Sequence, residues 1–391
     1  NTYGLVPRPG RPNASARMFT IKRRCYSVAM RPNPTSPLPD LAMSVVLFHS
    51  PLEQLRKLLD SLVAAVLRAD LAPVALVCVD NSVDQDYALR CQALCDRYEG
   101  GVLQITVIRS TQNKGYGGGH NQALQAVKSR IHLLLNPDVE LDTEAMRIAM
   151  ETLANRQDIA LLAPLGLSGT GRNVYLAKDY PSVWGLGVRA FAPQWVKRLS
   201  TKSAARYELR DLPADTQLRP IPLASGCCLW VNRAHLDTVQ GFDESYFAHQ
   251  EEIDLCWRAK NLGYKVMYLG NSTVYHLGGS TLSNMNPKKT FFNFRNSLFS
   301  ILKNMPLHRA LGVILVRLIL DGIAGLRFIL QGKFSHCLAI IHAHFSFYKG
   351  ARSAFKKYPS PKQYIKYYKT TSIVWSHYMR GLKKFSLLAK D

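Results

Sequence analysis

The sequence predicts an α/β protein built on a mostly parallel sheet with helices on both faces. Short runs that are apolar throughout alternate with stretches whose leucines recur at helical spacing. A strand that is apolar on both sides must be covered on both faces. The polar residues between them fall at the carboxyl ends of the runs, where open α/β sheets bind ligands.

The first buried strand is read at residues 44–48. A helix follows at 52–67, with Leu55, Leu58, Leu59, Leu62 and Val66 on one face and Pro73 just beyond its end. A second strand at 74–79 ends on Asp80-Asn81-Ser82, and a helix at 87–98 leads to a third strand at 103–108. A glycine-rich loop, 113–121, opens another helix. The fourth strand, 131–135, ends on Asn136-Pro137-Asp138, and residues 165–220 read as irregular. An apolar run at 227–231, a Gly241-Phe242-Asp243 turn, a helix at 253–262 and a strand at 265–269 complete the pattern.

Charge divides the 391 residues into three parts. Residues 1–40 carry +6, residues 41–285 are neutral with 24 basic and 24 acidic side chains, and residues 286–391 carry +17. A neutral middle with basic ends implies a catalytic domain flanked by segments that meet an anionic surface. Residues 1–40 contain no apolar stretch of a secretory signal and are read as a disordered or extraneous basic tail, with Met18 and Met30 as candidate starts. The domains expected are therefore 1–40, a catalytic domain at 41–300, and a basic helical region at 301–391. The eight cysteines show no CxxC pair and no ligand spacing, so free thiols in reducing cytosol are expected.

Four motifs carry chemistry. Asp80, with Asn81, emerges at a strand tip, where a carboxylate can accept from ribose hydroxyls or a base N–H; a turn and helix cap is its ordinary structural role. The loop around Asn113, Lys114, Gly115 and Gly117 lets backbone approach a ligand at a helix N-terminus, with Lys114 placed to add charge near a diphosphate. It also fits a plain flexible loop. Asp138 with Asn136 ends the fourth strand, where a carboxylate can hold Mg²⁺ or Mn²⁺ against a diphosphate, although a strand-to-helix turn has the same residues. Glu251, Glu252 and Asp254 crowd three acids at a helix start. Crowding raises one pKa toward that of a general base, while the helix dipole alone also welcomes acids. His276 follows an apolar run and by itself reads as a hydrogen-bonded core residue.

In this order the motifs resemble the family 2 glycosyltransferases, in particular the rhamnosyltransferase-like branch of bacterial surface-polysaccharide synthesis. The resemblance covers residues 43–300. It rests on the 44–48 strand, Val79-Asp80-Asn81-Ser82, the 113–121 loop, Leu135-Asn136-Pro137-Asp138, Ser225-Gly226-Cys227-Cys228, Gly241-Phe242-Asp243-Glu244, Glu251-Glu252-Ile253-Asp254-Leu255 and His276-Leu277-Gly278-Gly279. It implies a GT-A, Rossmann-like fold and an inverting, metal-assisted transfer of one sugar. The donor would be a nucleotide sugar, dTDP-L-rhamnose first or another such as a UDP-hexose. The acceptor would be lipopolysaccharide or a lipid-linked saccharide. Asp80, Asn81, Asn113, Lys114, Gly115, Gly117, Asn136, Asp138 and Gly226 would meet the donor, and Asp138 with His276 would hold the divalent metal. Glu252 would be the base, with Glu251 and Asp254 orienting it or contacting the acceptor. Two departures stand out. Asn136 replaces the first acid of the family's metal motif, and the base position is Glu rather than Asp, so Glu251 is an alternative base.

Residues 306–333 are rich in Leu, Ile and Val, but Arg309, Arg317, Asp321 and Arg327 leave no uncharged run near the ~20 residues a span needs. Arg317 and Asp321 read as a pair on one polar helix face, and the helix as either packed on the core or lying in a bilayer interface. The tail, with Lys356-Lys357-Tyr358, Lys366-Tyr367-Tyr368-Lys369 and Trp375, fits anionic headgroups. Peripheral attachment to the cytoplasmic face of the inner membrane is expected, and nucleic acid is not, because nothing resembles a nucleic-acid module. Beyond a nucleic-acid-binding protein, which the basic, aromatic tail would also fit, a scaffold without catalysis and a processive synthase are the rival classes. The synthase is disfavoured by the missing spans and QxxRW-type motif.

Overall fold

The chain is described by a computed structural model covering residues 39–179, 209, 211–276 and 286–357. All lie in one compact unit, Leu38–Asp391. The 1–38 part of the expected tail, residues 180–208, the Leu277-Gly278-Gly279 part of the histidine motif and residues 358–391 fall outside the described residues.

Strand β1 (Leu41–Leu47) leads into helix α1 (Leu52–Ala69), which buries the predicted Leu55, Leu58, Leu59, Leu62 and Val66 stripe and closes at Asp70 in a left-handed turn. Strand β2 (Val74–Asp80), helix α2 (Gln85–Cys95), strand β3 (Leu103–Arg109), helix α3 (Gly115–Ala126) and strand β4 (Ile131–Leu135) follow in alternation. Then come β5 (Val139–Leu141), α4 (Ala145–Asn155) and β6 (Ile159–Leu167). The stretch expected to be irregular contains short strands, β7 (Ala177–Lys178) and β8 (Leu218–Pro220), with β9 (Leu223–Ala224) just beyond. Strand β10 (Cys228–Asn232), helix α5 (Arg233–Thr238), helix α6 (Glu251–Asn261) and strand β11 (Lys265–His276) complete the sheet region.

The nine-stranded sheet runs β3-β2-β1-β4-β10-β6-β11-β5, with β8 on β11. Strands β1, β2, β3 and β4 are parallel, β10 is antiparallel to both β4 and β6, and β11 is parallel to β6. Six of the nine strands therefore share a direction, with β5, β8 and β10 reversed. Both faces are covered, and alternation along each strand divides the core. Leu133, Leu135 and Trp230 pack with α1, α2 and α4 on one side, whereas Leu134, Leu229 and Val231 pack with α3, α5 and α6 on the other.

Two local features differ from expectation. The strand read at 265–269 continues to His276 through a register shift between Leu269 and Thr273, because the irregularity absorbs the non-alternating Gly270-Asn271-Ser272. The glycine-rich loop is largely helix, since α3 begins at Gly115.

Beyond the sheet lie α7 (Pro287–Asn304), α8 (Leu307–Leu330) and α9 (Phe334–Lys357), so the boundary expected at residue 300 falls inside a helix. Tyr246 and Trp257 share a core cluster with Leu298 and Phe299 of α7, Ile314 of α8 and Phe347 of α9. Within it, Lys303 Nζ lies 2.7 Å from Asp243 Oδ2 and 3.0 Å from Asp254 Oδ1, and Arg258 Nε lies 2.7 Å from Asp254 Oδ2. Asn304 Nδ2 and the Tyr246 hydroxyl also donate to Asp254. Burial alone would push both carboxyls up. Arg258 and Lys303 overcome it at Asp254, and Lys303 does so at Asp243, which is lowered to about 2.

A buried pair that loses one partner leaves an uncompensated charge, at roughly 3–5 kcal/mol. Lys303→Met should therefore lose stability of that order in denaturant unfolding at pH 7. Carboxyls with lowered folded pKa values stabilise above their unfolded values, about 3.9, and that contribution drains away as pH falls toward the folded ones. The gap between parent and variant should narrow in acid. A loss below about 1 kcal/mol at neutral pH would show that the ion cluster does not hold α7.

Candidate active site

The carboxyl ends of β1, β2 and β4 meet the N-terminus of α3. Asp80, the last residue of β2, is buried, and its Oδ1 accepts from the Ser82 N–H at 2.8 Å. Asn81 Nδ2 donates to the Gly115 carbonyl at 2.9 Å, while the buried Asn81 Oδ1 has no partner. Asn113 Oδ1 accepts from Gly115 N at 2.8 Å, and Tyr116 N donates to the Phe247 carbonyl at 3.1 Å. The first amides of α3 are thus already engaged by protein. Gly115 has φ +71°, and a Cβ there would sit 1.8 Å from the Phe247 oxygen, so only glycine fits. Gly117 lies against Phe242, so the glycines expected to face phosphate pack the helix onto its neighbours. Lys114 stands half-buried at the helix cap.

Antiparallel β10 brings its entry loop to the tip of β4, where Asn136 N donates to the Cys227 carbonyl at 2.8 Å. The Tyr116 hydroxyl donates to the Gly226 carbonyl across the same gap. Strand β11 pairs with β5 so that His276 faces Val139 in register. This sets His276 Nε2 3.3 Å from the buried Asp138 Oδ2, uniting two residues 138 positions apart in the chain. No cluster of three or more His, Cys, Asp or Glu suited to a metal occurs among the described residues. A carboxylate oxygen beside an imidazole nitrogen would suit a divalent cation only if a diphosphate and water supplied the remaining ligands.

The acids stand at the start of α6. The turn before them places Phe247, His249 and Gln250 at φ +64°, +66° and +75°, a region that non-glycine residues seldom occupy. Helix α7 holds that turn: Asn296 Nδ2 lies 3.0, 2.8 and 2.7 Å from the carbonyls of Tyr246, Ala248 and His249, and Arg295 donates to those of Ser245 and Tyr246. Glu251 is buried with Oε2 lacking a partner, and burial and the neighbouring Glu252 hold its carboxyl well above the usual range. Half-buried Glu252 is also raised by burial, with Lys178 of β7 opposing. The Tyr116 phenol is pushed up by its own burial and then by Glu252 and Glu251, which places it in the same field.

Asp254 is directed elsewhere, into the ion cluster with Arg258 and Lys303, and has no exposed surface for an acceptor. Its partners are Arg258, Lys303, Tyr246 and Asn304. Tyr116, Lys178, Arg295 and Asn296 escaped the sequence reading. Tyr116 stands between Gly115 and Gly117, whose glycine pattern is the stronger local signal. The other three carry no local signal, because only tertiary packing brings them here.

A carboxyl whose folded pKa is raised destabilises the fold as pH climbs from its unfolded value, about 4.3, through the folded one. Glu251→Gln should therefore raise the melting temperature at pH 8 and leave it nearly unchanged at pH 4. An equal shift at both pH values would contradict a proton-retaining Glu251.

The chain matches the family model described as Glycosyltransferase like family 2 over residues 39–292. It is 26% identical over 251 residues to the N-acetylglucosaminyl-diphospho-decaprenol L-rhamnosyltransferase of Mycobacterium tuberculosis, covering 61% of this chain and 76% of that protein. It is also 26% identical over 161 residues to the low-salt glycan biosynthesis hexosyltransferase Agl10 of Haloferax volcanii, covering 40% of this chain and 46% of that one. Among solved structures it resembles GalNAc-T7 with UDP, GalNAc and Mn²⁺, with a TM-score of 0.50 and 13% identity over 68% of this chain and 48% of the other. The family match spans more than half of the chain, and the α/β fold agrees with it: the chain belongs to glycosyltransferase family 2, with a GT-A-type fold, and is a glycosyltransferase.

Proposed function

We propose that the enzyme transfers a single sugar from a nucleoside-diphosphate sugar, dTDP-L-rhamnose first, to a lipid-linked or lipopolysaccharide acceptor with inversion. The observation that carries the mechanism is the acid pair at the start of α6, desolvated and with one oxygen of Glu251 unpartnered. The relative from M. tuberculosis, named for a lipid-diphosphate acceptor, supports that acceptor class. Such a substrate fits an enzyme working at the cytoplasmic face of a membrane.

Glu252 ionises before Glu251, because Lys178 favours its anion while Glu252 itself holds the Glu251 proton. Glu252 takes the proton of the acceptor hydroxyl as its oxygen attacks the anomeric carbon. The bond from that carbon to the diphosphate oxygen breaks, and the leaving group departs with its electron pair. Asp80 and Asn81 meet the nucleoside, and Asn113, Lys114, Gly115 and Gly117 back that site. Asn136, Asp138 and Gly226 border the diphosphate and sugar. Asp138 and His276 would hold Mg²⁺ or Mn²⁺, which neutralises diphosphate charge when bound.

Glu252→Gln should lower kcat roughly 10²–10⁴-fold with nucleoside-diphosphate affinity retained. Lys178→Met should move the acid limb of the kcat–pH profile upward, because it removes the cation that favours the Glu252 anion. Unchanged kcat in the first variant, or an unmoved limb in the second, would remove Glu252 as the base. Asp138→Asn should weaken Mn²⁺-dependent binding of the nucleoside diphosphate, measured calorimetrically. Equal binding with and without Mn²⁺ in the parent would remove the metal.

A further inference from the structure

Helices α8 and α9 bury a few ionisable groups among the apolar residues of their inner faces and expose large apolar side chains on the outside. Toward the protein, Arg317 Nε lies 2.9 Å from Asp321 Oδ1, His344 Nε2 of α9 lies 3.0 Å from Asp321 Oδ2, and Arg317 reaches Ser297 Oγ of α7 at 3.2 Å. All three ionisable groups are buried. The charged pair expected on one polar helix face therefore faces inward and pins the hairpin to α7. Away from the protein, every exposed residue of α8 from Leu311 to Leu326 is Leu, Val, Ile or Gly. Leu315 is 63% exposed and Ile319 62%, and on α9 Leu338 is 55% and Phe345 70% exposed. Scattered exposed leucines are ordinary, but an unbroken apolar stretch on α8, extended by Leu338, Ile341 and Phe345 of α9, marks an interaction surface.

Charge identifies the partner. Basic residues bracket the apolar face, with Arg327 and Lys333 near the turn and Arg309, Lys349, Arg352, Lys356 and Lys357 toward the other end. Two copies of a region carrying +17 would repel, whereas anionic headgroups attract basic residues near the surface. No helix among the described residues is long and apolar enough to cross a membrane, and the Arg317–Asp321 pair sits mid-helix, so the helices lie along the surface. We propose that the outer face of the α8–α9 hairpin is seated in the interface of an anionic phospholipid leaflet, through Leu311, Leu315, Ile319, Leu326, Leu338 and Phe345.

The test uses the full chain and vesicles of phosphatidylglycerol with phosphatidylcholine. Leu315→Glu/Ile319→Glu alters only exposed positions and should reduce co-sedimentation at least tenfold, with the melting temperature and turnover of a soluble acceptor unchanged. Leu315→Trp should show added emission that shifts blue on vesicle addition and is quenched by lipids brominated along their chains. Full vesicle binding by the double-Glu protein would overturn the proposal, because attachment would then be electrostatic alone. Concentration-dependent self-association of the parent without vesicles, abolished by the Glu pair, would give the face to a second copy. A Leu315→Trp signal already buried before vesicles are added would give it to another segment of this chain. Because turnover of a soluble acceptor is read separately, these outcomes are independent of whether the proposed base and donor are right.

Discussion

The ion pair between Asp254 and Lys303, wholly buried at 3.0 Å, is the contact on which the arrangement of the site depends. Asp254 belongs to the helix that begins with the acid pair, and Lys303 to the helix that follows the sheet. Arg258 and Asp243 complete the cluster, joining α6, α7 and the Gly241-Phe242-Asp243 turn at one point. Desolvating four charges is costly, and their mutual geometry offsets that cost only while all are present. With α7 held this way, Asn296 and Arg295 reach the strained turn before Glu251 and fix where α6 starts.

Within four residues the same helix turn thus puts acids to opposite uses. Asp254 points into the cationic cluster and remains an anion. Glu251, buried and with Glu252 beside it, keeps its proton to higher pH. Glu252 stands between these extremes, half-buried and within the field of Lys178. Sequence proximity leaves the three indistinguishable; their surroundings lower the pKa of one and raise those of the other two.

The sheet was legible because its evidence is local. Apolar runs and polar strand ends appear in order along the chain, and the α1 stripe matches residue for residue. The Asp138–His276 meeting was anticipated only through family resemblance, since it needs β11 to run past Leu269 and pair with β5. The glycine motif has a structural use that its composition alone does not show. Glycine serves close approach of any kind, and here α3 approaches β1 and the Phe247 carbonyl. Lys178, Asn296 and the inward turn of Arg317–Asp321 were illegible, because helix periodicity shows which residues share a face and not which face is buried.

The account's central claim is a single displacement in which an ionised Glu252 takes the acceptor proton while the donor's diphosphate leaves. The anomeric configuration of the first product, followed by proton NMR during turnover of a nucleoside-diphosphate sugar of known configuration, tests it most directly. The account predicts a product of inverted configuration from the earliest time point. A product that retains the donor's configuration would contradict it.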